Sequence, residues 1–180
     1  DAELPGLLRQ ALALVVDEVR ALEVKIDGID RQLAHLADAH PVATRLQTIP
    51  GVGVLTATAL VGAVGHIHAF RRGREFACWL GLTPREASSG GRRYLGRISK
   101  RGDVHLRCLL AHGARSVLRV ALQTAQRNPG RLSRLQQWAL TTATHRGRPK
   151  ATIAIANKLS RIVWAMWCLD EADHARPPLP

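Results

Sequence analysis

The chain has 180 residues, enough for one domain with a real core plus an extension. Lys and Arg outnumber Asp and Glu by 26 to 14, giving a net charge of +12 and a pI near 11.2, an excess that points to a polyanionic partner, nucleic acid before membrane. No stretch is long and apolar enough to span a bilayer, no signal peptide is read, and three scattered cysteines without a C-x-x-C exclude a disulfide scaffold. The expected compartment is the bacterial cytoplasm, at the nucleoid. The eight histidines make no zinc-finger or H-E-x-x-H spacing, so no metal site is expected; His66 and His68 are read as structural.

Residues 4 to 40 carry the clearest periodicity. Leu8, Leu12, Val15, Val19, Leu22, Ile26, Ile29, Leu33 and Leu36 alternate spacings of four and three, the seam of a coiled coil. Asp17, Glu18, Arg20, Glu23, Lys25, Asp30 and Arg31 fall off that seam. Gly28 weakens the helix, by up to about 1 kcal/mol relative to alanine. A homo-oligomer through this arm is expected; the alternative is an amphipathic helix folded back on its own domain. His40-Pro41 ends the helix. The chain opens inside this helical pattern without a methionine, so a piece of a longer protein is expected.

The stretch I-P-G-V-G at 49–53, followed by a small-residue helix, resembles a helix-hairpin-helix. Gly51 and Gly53 would then offer backbone N–H groups to a phosphate without reading sequence; the alternative is an ordinary tight helix–helix turn. Arg71 and Arg72 lie in a basic turn before a short helix, Glu75 to Leu82, with Phe76 and Trp79 expected in the core.

Residues 87–102, A-S-S-G-G-R-R-Y-L-G-R-I-S-K-R-G, put adjacent serines beside glycines and five cations: Arg92, Arg93, Arg97, Lys100 and Arg101. Arginines grip phosphate bidentately. A hydroxyl held among them could attack a phosphodiester, the cations stabilising charge on the phosphorus oxygens. The alternative is a flexible basic loop that holds nucleic acid and does no chemistry. Tyr94, the one tyrosine, is a second nucleophile candidate or a base-stacking ring.

Asp103 is the expected N-cap of a helix to about Gln126, with Leu106, Leu109, Leu110, Val117, Leu118 and Ala121 as its core stripe. His105 and His112 share a face of it, as surface or core histidines or as a proton shuttle. A turn at Asn128-Pro129-Gly130, a short helix Arg131 to Leu140 and a second basic loop, Thr144 to Lys150 with Arg146, Arg148 and Lys150, come next. An apolar helix from Ala151 to about Leu169 closes the domain, and a loose tail is expected from Glu171. No strand run is evident. The fold class is all-α: a coiled-coil arm at 1–40, a helical domain at 44–170 and a tail at 171–180.

The order of motifs T-I-P-G-V-G, F-R-R-G-R-E-F-A-C-W-L-G-L-T-P-R-E, S-S-G-G-R-R-Y-L-G-R-I-S-K-R-G-D and A-N-K-L-S-R-I-V-W-A, over about 46–167, resembles the C-terminal half of insertion-sequence-110 family transposases, the 1111 branch especially. The resemblance implies a recombinase guided by a bridge RNA that pairs with donor and target DNA. It implies an N-terminal RuvC-like domain whose acidic residues hold Mg²⁺, and a serine that forms a covalent phosphoserine with DNA. That serine falls on Ser89, with Ser88 as its neighbouring alternate; Ser99 is a weaker match. The RuvC-like half is absent here, and Asp17, Asp27, Asp30, Asp38 and Asp103 make no metal-binding set, so no cofactor is expected in this chain. The competing expectation is a non-catalytic helix-hairpin-helix module that binds nucleic acid and dimerises, with a coiled-coil adaptor of incidental charge as the third.

Overall fold

The computed structural model describes residues 5–92 and 94–174, the last five by backbone alone. The apolar repeat of the first forty residues folds as one continuous helix, α1 (Gly6–Asp38), about 50 Å long at 1.5 Å per residue. Only Ala37 in it is buried. Apart from the half-buried Leu33, the seam faces outward, with Leu22 46% and Ile26 54% exposed. Leu7, Leu14, Val16 and Val24 add further exposed apolar surface. The end of α1 packs on α2 (Pro41–Leu46) and α3 (Val54–Val64). Pro41 starts α2 at a position where its missing N–H costs nothing.

The body is built around one helix, α7 (Arg148–His174), against which α2, α4 (Gly73–Trp79), α5 (Val104–Arg127) and α6 (Arg134–Arg146) all pack. Ile155, Ala156, Leu159, Val163 and Trp167 are its buried stripe. Leu46, Leu60, Ile67, Phe76, Leu80, Leu106 and Leu110 meet them in the same core. Fully burying an aliphatic side chain of this size stabilises by roughly 1.5–3 kcal/mol, so this layer holds the fold.

The helices form where their end signals sit. Asp103 Oδ1 accepts the Leu106 N–H at 2.8 Å and starts α5 as expected. Ser133 and Gln136 close a capping box, which starts α6 at Arg134, three residues later than expected, and α6 then runs to Arg146. The basic loop expected at 144–150 is not a loop. Gly147, at φ +77°, is the only break between α6 and α7, so Arg146 ends one helix and Arg148 begins the next. The closing helix expected to stop near Leu169 continues to His174. Residues 175–180 of the expected tail lie outside the described residues.

The chain is mostly helical, with one correction. Where no strand was evident, β1 (Pro84–Glu86) and β2 (Leu95–Ile98) pair antiparallel, Pro84 opposite Ile98 and Glu86 opposite Leu95, with a bulge between. The strands are short and exposed, so they lack the apolar alternation that marks a half-buried strand. A second correction concerns Trp79. It is 38% exposed, stacking on Phe76 with centroids 6.0 Å apart while Phe76 alone is buried.

Candidate functional site

The serine-rich stretch is the hairpin itself. Ala87 N–H donates to Tyr94 O at 3.0 Å, Arg92 N–H to Ser89 O at 3.0 Å and Ser89 N–H to Arg92 O at 3.3 Å. Between them Gly90 and Gly91 sit at φ +57° and +76°. Two consecutive positive φ values are what a two-residue turn needs to match the twist of its strands, and glycine takes them without strain. The signal was present in the sequence, as Gly-Gly between two residues that pair.

Side chains alternate across a strand, and directly paired residues share a face. Glu86 and Leu95 therefore share a face of the paired strands, and Ser89 pairs with Arg92 at an isolated bridge nearer the tip. Ser88 is engaged: its Oγ donates to Glu86 Oε1 at 2.8 Å and accepts from Tyr94 N–H at 3.2 Å. Ser89 stands exposed at the tip beside the Arg92 it pairs with. Ser99 is different again. Its Oγ is buried beneath the hairpin without a hydrogen-bond partner. Arg93 lies outside the described residues.

The hairpin root is fixed to the body. Ser99 N–H donates to Thr83 O at 2.8 Å and Lys100 N–H to Gly81 O at 3.1 Å. Asn157 of α7 donates to Leu82 O at 3.2 Å, and Arg107 of α5 to Leu80 O at 3.2 Å. Thus the root is rigid while residues 84–97 project, the described ones all exposed. Arg97 is on β2, and Lys100 and Arg101 follow it, all exposed. Lys100 holds φ +54°, uncommon for a residue with a side chain.

The other expected contacts are spread over the body. Arg72 and Lys150 meet the hairpin foot in a groove of about 1110 Å³ that also contains Arg74, Lys158 and Arg161. Arg148 faces a separate cleft of about 580 Å³ with Arg115 and Arg119. Arg71 is exposed beside the groove's edge in sequence, its N–H given to Glu75 Oε2 at 2.8 Å, and Arg146 is exposed in the last turn of α6. Gly51 and Gly53 lie in the turn between α2 and α3, against His112, Gly113 and Ser116 of α5. Gly51 has φ +86°, and a Cβ there would meet Gly113 O at 2.6 Å. Gly53 is exposed, and a Cβ there would meet nothing within 4 Å. Gly53 caps α3 without a side-chain bond to the first amides of that helix.

Sequence reasoning missed Glu86 as the partner of Ser88, for which E-x-S on one strand was the available signal. It also missed Trp138, Lys158 and Arg161, which only the packing of α6 on α7 brings to the groove. Among the described residues no three His, Cys, Asp or Glu side chains gather to hold a metal ion, so the described donors offer no site for Mg²⁺. Among them, too, no helix is long and apolar enough to cross a membrane.

Residues 43–128, from α2 to the end of α5, match the family described as Transposase IS116/IS110/IS902. The match contains both glycine turns and the hairpin. Over 165 residues, 92% of this chain, the protein is 38% identical to a probable family 20 transposase of Pseudomonas aeruginosa, covering 47% of that protein. It is 36% identical over 159 residues, 88% of the chain, to the transposase for insertion sequence element IS1111A of Coxiella burnetii, covering 42% of it. It is 38% identical over 165 residues, 91% of the chain, to the transposase for IS1328 of Yersinia enterocolitica, covering 47% of it. The chain spans less than half the length of these relatives.

Proposed function

We propose that this chain, whose residues 43–128 match the IS116/IS110/IS902 transposase family, is the strand-exchange half of such an enzyme, with Ser89 as its nucleophile. The observation that carries this reading is the hairpin tip. It holds an exposed serine, next to a two-glycine turn and directly across from an arginine. Ser89 Oγ attacks the DNA phosphorus and loses its proton; a phosphorus–oxygen bond to the sugar breaks, and the released DNA oxygen takes up a proton. The product is a Ser89 phosphodiester. Attack on it by the hydroxyl of an incoming strand restores Ser89 and joins the new DNA. The number of phosphoester bonds is unchanged throughout, so no external energy source is needed. Arg92 is placed to stabilise charge on the phosphorus oxygens, with Arg97, Lys100 and Arg101 leading the strand toward the root. Ser88 holds the hairpin through Glu86 and Tyr94 N–H and is thereby less available to attack.

The remaining parts follow from the resemblance. The Mg²⁺ belongs to an acidic RuvC-like half, and no step above passes through it. A bridge RNA selects the DNA, while Gly51, Gly53 and the basic clefts hold backbone phosphates. The arm pairs with a second copy through its uncovered seam. Residues 1–38 hold eight of the 14 acidic residues but four of the 26 Lys and Arg, so the body carries the excess positive charge and the arm stays clear of the DNA. The second reading, a non-catalytic helix-hairpin-helix module, is favoured only by the uncapped start of α3.

The test reconstitutes the chain with the RuvC-like half, Mg²⁺, guide RNA and a suicide DNA substrate. Ser89→Ala should lower strand exchange by at least ~10³-fold and remove the protein–DNA adduct, with DNA binding unchanged. An adduct that survives Ser89→Ala and maps to Ser88 or Tyr94 would overturn the assignment. Absence of any adduct from the unmodified protein would favour the module.

A further inference from the structure

We infer that the groove at the hairpin foot is a site for an unpaired stretch of nucleic acid, with a base against Trp138 and phosphates on the cations around it. This rests on the nucleic-acid reading above and adds the form of the strand and its place. The groove, about 1110 Å³, is lined by Pro84 and Ile98 from the hairpin foot, Trp138 from α6 and the outer face of α7. Lys158 Nζ stands 4.1 Å from the centre of the Trp138 ring. Arg72, Arg74, Lys150 and Arg161 complete the cationic lining, and among the described residues no carboxylate joins them.

An apolar floor alone would suit an amphipathic peptide as well as a base. The charge decides between them. Ile153 lines both this groove and the neighbouring cleft, where Arg115, Arg119 and Arg148 converge, again with no carboxylate among the described lining residues. The cations thus form a basic track along two neighbouring clefts that share Ile153. Its complement is a polymer with a negative charge at every unit, which is a nucleic-acid strand. Aromatic surface for the bases beside cations for the backbone is the pattern by which single strands are held. The track ends at Pro84 and Ile98, at the foot of the hairpin whose tip carries Ser89. A strand lying in it would be opened beside the bond to be exchanged.

Fluorescence anisotropy of the full chain with labelled twelve-nucleotide DNA and RNA strands, and with matched duplex DNA, tests this. Trp138→Ala should weaken single-strand binding about tenfold, the loss of one stacked base, and leave duplex binding within about twofold. Trp138→Phe, which keeps a ring, should recover most of the loss. Arg161→Glu, on the exposed rim, should reproduce the single-strand defect without touching the core, and melting curves verify that each variant is folded. The DNA and RNA arms identify which strand the groove serves. Equal losses on duplex and single strand, or no loss on either, overturn the groove assignment while leaving duplex binding in place. If the unmodified chain binds no nucleic acid, the broader reading falls with it.

Discussion

Two turns in this protein are built on glycine, and they use it for opposite reasons. In the turn between α2 and α3, Gly51 has a positive φ and lies against α5, where a Cβ would meet Gly113 O at 2.6 Å and Val117 Cγ2 at 2.8 Å. Gly113 in turn faces Gly51 O too closely for any side chain. Here glycine supplies space, and two backbones touch. At the hairpin tip, Gly90 and Gly91 also have positive φ, yet a Cβ on either would meet nothing within 4 Å. There glycine supplies conformation only, and the surface is left open. The first turn is part of the core, and the second is a presented edge. Both are glycine-rich and next to cations or backbone donors in the sequence, so composition makes them look alike.

The largest effect should come from closing the first of these spaces. Gly113→Ala should cost about 3 kcal/mol, the upper range for overpacking a tight contact. For a chain of this size that lowers the Tm by roughly 6–12 °C in a thermal melt. A melt unchanged within 2 °C would mean the α2–α3 turn does not sit on α5. Gly53, two residues past Gly51, is the control. Its backbone is extended, at φ −95° and ψ −177°, and its surroundings are open. Gly53→Val should keep the Tm and weaken duplex binding severalfold, because a bulky side chain there screens the amides at the start of α3 from a phosphate. That separates a phosphate contact from a packing defect, which Gly51 substitutions cannot do.

A smaller, local effect is expected at the tip. Gly90→Val forces a β-branched residue into the left-handed region, at about 1–2 kcal/mol. The hairpin tip is exposed and opens without the core, so this cost should appear as faster amide exchange at Ala87 and Arg92 rather than as a lower Tm. Gly90→Asn, which tolerates that region, should restore protection. Loss of strand exchange in Gly90→Val with recovery in Gly90→Asn would tie the chemistry to the turn geometry that places Ser89. Equal exchange rates in all three proteins would mean that the tip is not ordered in solution.

The helices were legible in the sequence because their signals are local. The apolar repeat from Leu8 to Leu36 gave α1, and Asp103 gave the start of α5. The hairpin was not read, because its strands are too short and too exposed to carry an alternating pattern; only Gly90-Gly91 announced it. Ser88 differs from Ser89 through its bonds to Glu86 and to Tyr94 N–H, while Ser89 pairs with Arg92, and no composition of the loop contains that. Arg146 and Arg148 look like one basic loop in sequence. A single glycine between two helices sends them to different surfaces, and only the packing of α6 and α7 on one another decides which. The groove with Trp138 and Lys158 is likewise a product of packing, because these residues lie twenty apart in the chain on two different helices.

The smallest effect concerns a third glycine, which has neither reason. Gly28 lies in the middle of α1, with no positive φ and nothing within 4 Å of a Cβ built there. Within one chain, Gly28→Ala therefore can only help, by up to about 1 kcal/mol of helix propensity. Any penalty must come from a second molecule. If the exposed seam of Leu22, Ile26 and Ile29 packs on another arm, the partner helix can approach closely at Gly28, and a methyl group there would push it away. Melts of the protein and of Gly28→Ala should then diverge with concentration: association stabilises in proportion to its mass action. The variant would be the more stable at low micromolar concentration, where the arm is free, and lose that advantage as the arms pair. A constant advantage at every concentration, with sedimentation at the monomer mass, would mean that α1 is a solitary helix and that its seam waits for something other than a second copy.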